Sequence, residues 1–110
     1  QKKIVGTIAI TRSRNNADVA WLRRMAVNPR YQRKGIASVL VDEAIRFCKD
    51  KGYAAVELVT SECHDAAREL YLKKGFDLKQ MYHKPIIGSA VTIQMYDLVL
   101  RFRSPEIPVV

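Results

Sequence analysis

An apolar run, Leu22 to Val27, stops at Asn28-Pro29 and passes into Gln32-Arg33-Lys34-Gly35-Ile36-Ala37, where helical periodicity begins at once. A strand that enters a helix through so short a basic loop sets the helix N-terminus beside Arg33 and Lys34. Free main-chain N–H groups, the positive end of the helix dipole and two local cations together make an anion site, most naturally for a pyrophosphate. Gly35 and the small Ala37 let a ligand approach the backbone closely, and Ser38 lies within the same first turn. Such a nest reads as a nucleotide or coenzyme A cradle. The plain alternative is an ordinary basic helix start.

Two commoner phosphate loops are excluded. No lysine-serine/threonine pair follows a four-residue gap, so the loop is not of the Walker type, and G-x-G-x-x-G is absent. The net charge is +8, from 19 Lys+Arg against 11 Asp+Glu; five of the basic residues crowd here and the rest of the excess is dispersed. Arg23, Arg24, Arg30, Arg33 and Lys34 surround the loop with no acid among them, which suits a polyanion. Nucleic acid would also meet that charge. The few aromatics, however, sit in core-like strands rather than among the basic residues, so no nucleic-acid partner is expected.

The 110 residues make one domain with a modest core. Ile4 to Thr11 reads as a strand with a bulge at Gly6, and residues 12 to 18 as a hairpin turn with Asn15-Asn16 at its tip. Val19 to Val27 is the antiparallel return strand. Residues 35 to 50 form a helix with an apolar stripe of Ile36, Val39, Leu40, Ala44, Phe47 and Cys48, ended by Gly52. Ala54 to Thr60 is a strand parallel to residues 22 to 27, joined by a right-handed crossover. Residues 65 to 74 form a second helix with Ala67, Leu70 and Tyr71 inward. Gly75 stops it and Phe76 folds back. Residues 78 to 84 and 91 to 102 form the last strands, and 103 to 110 an extended tail. Cys48 and Cys63 lack metal-ligand spacing, so no metal is expected. No apolar run is long enough for a membrane span, and no signal peptide is visible. The chain starts at Gln1, close to its first strand, which suggests a piece of a longer protein.

Gln32-x-x-Gly35-x-Ala37 resembles the Arg/Gln-x-x-Gly-x-Gly/Ala motif of the GNAT N-acetyltransferase superfamily, which binds acetyl-coenzyme A. One helix and one strand later, His64-x-x-Ala67-x-x-Leu70-Tyr71-x-x-x-Gly75-Phe76 is similar to that family's Asn-x-x-Ala-x-x-Leu-Tyr-x-x-x-Gly-Phe element. The resemblance covers roughly residues 4 to 100 and leans toward the camello-like branch. It implies an α/β GNAT fold, a twisted mixed sheet whose parallel strands splay around the acetyl-pantetheine arm. It implies coenzyme contacts from the backbone at Met25 and Val27, from Gln32, Arg33, Lys34, Gly35, Ile36, Ala37 and Ser38, and from His64. It also implies that Tyr71 protonates the departing thiolate; core packing is its alternative role.

The resemblance implies transfer of an acetyl group to a primary amine of an amino acid, a conjugate or a protein lysine. Two departures stand out. His64 replaces the asparagine that usually meets the coenzyme. Val59 stands where many relatives place a carboxylate, leaving Glu57, Glu62 and His64 as candidate bases. The superfamily's leading strand, two helices and further strand are expected upstream and are missing here, as is the membrane segment of the camello-like branch. The expected location is intracellular, cytosolic or membrane-attached through such a segment. A catalytically degenerate coenzyme-binding or protein-interaction module of the same fold is the alternative function.

Overall fold

The computed structural model describes residues 6–14, 16–31 and 35–102. Ile4, Val5, the turn-tip Asn15, the loop residues Gln32, Arg33 and Lys34, and the tail from Arg103 lie outside the described residues.

Apolar residues with two-residue alternation give β1 (Gly6–Arg12) and β2 (Val19–Val27), paired antiparallel. Their turn closes through Ser13 N–H donating to the Val19 carbonyl at 2.8 Å and Asp18 N–H donating to Asn16 Oδ1 at 2.9 Å. A single 3-10 turn, Pro29–Tyr31, was not expected from sequence. Asn28 Oδ1 starts it by accepting from the Arg30 N–H at 3.0 Å. Helix α1 (Ile36–Asp50) follows, then β3 (Ala55–Ser61), α2 (Asp65–Lys73), β4 (Asp77–Pro85) and β5 (Thr92–Arg101). These boundaries lie within two residues of those read from sequence wherever both ends are described.

Both helices end in the same device. After α1, Gly52 at φ 84° donates to Lys49, and Tyr53 donates to Cys48. After α2, Gly75 at φ 101° donates to Leu72, and Phe76 donates to Tyr71. Left-handed backbone at both glycines lets the following residue reach back and satisfy carbonyls of the last turn. Phe76 is thereby buried, its ring edge-on to Tyr71 at 5.7 Å.

The described sheet runs β1-β2-β3-β5-β4, so the last strand of the chain inserts beside β3 and β4 forms the edge. One core cluster joins Val41, Ala44 and Cys48 of α1 and Tyr71 of α2 to Ala20, Leu22, Val56, Leu58 and Leu98 of the sheet. The two helices therefore share one face, tied by Lys74 Nζ to Asp42 at 2.9 Å. The stripe expected on α1 is corrected here. Val39 and Phe47 are exposed, whereas Val41, outside the expected stripe, is fully buried. Cys48 is buried as expected, and burial pushes its thiol up.

The bulge expected at Gly6 lies elsewhere. Thr7 pairs with Ala26 and Ala9 with Arg23, so two residues of β2, Arg24 and Met25, oppose Ile8 alone. Gly6 answers to packing: a Cβ there would stand 2.9 Å from Leu40 Cδ1 and 3.1 Å from the Ala26 carbonyl oxygen. Gly6→Ala should lose about 1–3 kcal/mol, as overpacking does. The urea midpoint of unfolding checks this, and an unchanged midpoint would show that α1 sits looser on β1.

Candidate active site

The site begins with the β2 bulge. Before it, Ala20 and Leu22 point to the helix-bearing face; the extra residue reverses the alternation, so Met25 turns toward the core while Ala26 is exposed. The parallel ladder between β2 and β3 is correspondingly short. It comprises Val19–Ala55, Ala20–Val56 and Trp21–Glu57. The parallel pair expected from sequence is present and splays as expected: from Leu22 and Leu58 onward the strands part.

A cavity of about 640 Å³ fills the gap, walled by Trp21, Leu22, Arg23 and Met25 of β2, Leu58 to Ser61 of β3, His64, Ala67 and Tyr71 at α2, and Met95 of β5. It opens at the C-terminal ends of two parallel strands, where open α/β sheets hold ligands. Strand edges that have left their ladder offer backbone donors and acceptors to a ligand amide. Among the described residues the lining carries hydroxyls and Arg23 but no carboxylate.

Tyr71 is 7% exposed and reaches across the gap, its hydroxyl 3.8 Å from Met25 Sδ. It is thus both core residue and cleft wall. Burial raises its pKa above the ordinary tyrosine value, so the hydroxyl keeps its proton at neutral pH. His64 lies at the start of α2 and on the cleft wall, with its N–H donating to the Ser61 carbonyl at 3.1 Å.

The N-terminus of α1 stands at the same end of the sheet. Gly35 is its N-cap, at φ 79°, with no side-chain cap and no acid in the first turn. The first helical bond is from Val39 N–H to the Gly35 carbonyl, so the N–H groups of Ile36, Ala37 and Ser38 precede the helical ladder. A Cβ on Gly35 would meet nothing within 4 Å, so the space above this turn is open. This is the terminus at which the sequence reading expects an anion.

The structure thus gathers Met25, His64 and Tyr71 at one cleft. Val27 is not among its walls; it continues β2 and pairs with Gly6. Of the three candidate bases, Glu57 faces a second cavity and pairs with Lys79 Nζ at 2.5 Å. Glu62 is exposed and accepts from the Gln94 N–H at 2.8 Å. His64 alone lines the cleft. The sequence reading missed the bulge and the hydroxyls of Thr60 and Ser61 on the cleft wall. Among the described residues no group of side chains could hold a metal, and no helix is long and apolar enough to cross a membrane.

This sheet, with its helices on one face and its splayed strands, is the fold of acyl-coenzyme A acetyltransferases. It superposes on the ribosomal-protein-S18-alanine N-acetyltransferase of Escherichia coli with a TM-score of 0.79 at 21% identity, over 96% of this chain and 66% of that one. An acetyltransferase of Bacillus subtilis in complex with CoA gives 0.77 at 23%, over 92% and 71%. The acetyltransferase (GNAT) family model matches residues 1–76, and the chain belongs to that family.

Its relatives include the camello-like branch. Rattus norvegicus "N-acetyltransferase 8B" is 30% identical over 100 residues, 91% of this chain and 45% of the relative. Xenopus tropicalis "Probable N-acetyltransferase camello" is 34% identical over 74 residues, 67% and 34%. The chain spans less than half the length of both.

Proposed function

We propose that the chain moves an acetyl group from acetyl-coenzyme A to a primary amine by direct attack on the thioester. The observation that carries this reading is the three-rung ladder opening into a cleft spanned by Tyr71 and flanked by two helix N-termini. The main chain of Met25 and Val27 receives the pantetheine amides, and a backbone N–H in that stretch polarises the acetyl carbonyl. Gln32, Arg33, Lys34, Gly35, Ile36, Ala37 and Ser38 hold the pyrophosphate, and His64 donates a hydrogen bond to the coenzyme.

The amine forms its C–N bond as the C–S bond breaks. Tyr71 then gives its proton to the thiolate. The acceptor is an amino acid, a conjugate or a protein lysine. A degenerate coenzyme-binding module is the second reading, favoured by the absence of a carboxylate from the cleft walls.

Calorimetric titration with acetyl-coenzyme A, followed by thiol release over a panel of primary amines, should show binding and amine-dependent release. Binding without release would select the degenerate module. Absence of binding would overturn both readings.

A further inference from the structure

We propose that Asp97 accepts the proton that the attacking amine must lose, through one bridging water; the assignment rests on the transferase reading above. An aliphatic amine arrives as an ammonium ion, which has no lone pair to offer. Among the described residues the cleft walls hold no carboxylate, and their one imidazole, His64, is given to the coenzyme in the reading above, which turns attention to a carboxylate just behind them.

The β3–β5 register places it. Val59, a cleft wall, is paired directly with Asp97. Directly opposed residues of antiparallel strands project to the same face with Cβ atoms about 4.5–5.5 Å apart. Met95, two residues before Asp97 and therefore on the same face, is another cleft wall. Asp97 itself lines a second cavity of about 340 Å³ that shares Trp21 with the cleft. Its carboxylate is one cross-strand step from the cleft wall at Val59, and the bridging water of the proposal completes the path.

The surroundings orient that carboxylate. Gln80 Nε2 donates to Asp97 Oδ2 at 2.5 Å, which fixes the group without neutralising it. The charged groups facing the same cavity are Glu57 of β3, Lys79 of β4 and Arg101 of β5. Arg23 of β2 lies on the cleft wall beside Trp21. Glu57 and Lys79 pair with each other.

The proton count closes. The ammonium passes one proton through water to Asp97, which releases it to solvent. The neutral amine attacks, the C–N bond forms and the C–S bond breaks. The second amine proton replaces the one that Tyr71 has given to the departing sulfur.

The test uses the chain as it stands, acetyl-coenzyme A, and two kinds of acceptor. One is the aliphatic amines of the panel above; the other is trifluoroethylamine, which is already neutral at pH 7. Asp97→Asn should slow thiol release with the aliphatic amines about tenfold to a hundredfold at pH 7, as loss of a water-mediated base does. Its rate should recover as pH rises and the free amine accumulates. With trifluoroethylamine, parent and variant should agree. Acetyl-coenzyme A affinity should be unchanged, and Asp97→Glu should restore part of the loss. An unaltered rate, or an equal loss with both acceptor types, would overturn the role of Asp97 while leaving the transferase reading in place. A parent chain that binds acetyl-coenzyme A yet releases no thiol with any amine would remove both.

Discussion

Replacement of Gly35 by valine should abolish detectable binding of acetyl-coenzyme A while leaving α1 folded. Gly35 sits at φ 79°, a region that β-branched residues almost never adopt, and holding one there costs on the order of 1–3 kcal/mol. The turn relieves that strain by shifting, which tilts the N–H groups of Ile36 to Ser38 away from a common target. The new methyl groups also occupy the open space above the turn, where the structure has nothing within 4 Å of a Cβ. A pyrophosphate thus loses both its donors and its room, and a weakening of at least about a hundredfold is expected, since 1.4 kcal/mol is a tenfold change. The same open space spares the helix, because no protein atom is pushed aside. Calorimetry and far-UV circular dichroism on one sample separate the two effects. Unchanged affinity would place the coenzyme elsewhere. Charge reversal at Arg33 should cost less, and the loss should shrink with added salt.

Tyr71→Phe should lower turnover on the order of a hundredfold with fold and coenzyme affinity retained, as loss of a general acid does. The hydroxyl is the only part of the ring removed. Its partner in the structure is a thioether sulfur at 3.8 Å, a weak acceptor whose loss leaves no strongly polar group stranded. The edge-on packing against Phe76 survives in the variant. Because burial raises the Tyr71 pKa, the group stays protonated to above the ordinary value of about 10. A neutral ring is favoured in the fold, so the stability this burial contributes is present below that value. It is lost as pH climbs through the raised pKa. The parent should therefore show no alkaline fall in rate from this residue near neutrality. Equal turnover in variant and parent would leave Tyr71 as packing alone.

What could be read in the sequence was local. Gly52 and Gly75, each followed by an aromatic residue, announce their helix stops because the whole device spans a few residues. The basic turn before α1 declares an anion site for the same reason. The α1 face was misread because apolar residues flank the helix on more than one side. Val39 and Phe47 fit a 3.6-residue period as well as Val41 does, and only the position of the sheet decides between them. The bulge at Arg24–Met25 was invisible, and the splay of the parallel strands came from the family resemblance alone, since both are properties of register between strands distant in the chain. Asp97 was passed over for that reason too. In Met95-Tyr96-Asp97-Leu98-Val99 it reads as one polar step in an alternating strand, and its place beside Val59 exists only once β5 has inserted against β3.

The ladder between β2 and β3 can also be viewed as a short suture between two self-sufficient ribbons. Each ribbon is closed by its own antiparallel bonds, β1 with β2 on one side and β3 with β5 and β4 on the other. The suture adds three residue pairs, all at the end away from the helix N-termini. Its last stitch, Trp21–Glu57, is the tip of a crack already open in the sheet. Anything that wedges the cleft apart loads that stitch first and can lengthen the opening by one residue without breaking a bond inside either ribbon. How far the cleft can extend into the sheet is therefore set at Trp21 and Glu57 rather than by the size of the cleft walls.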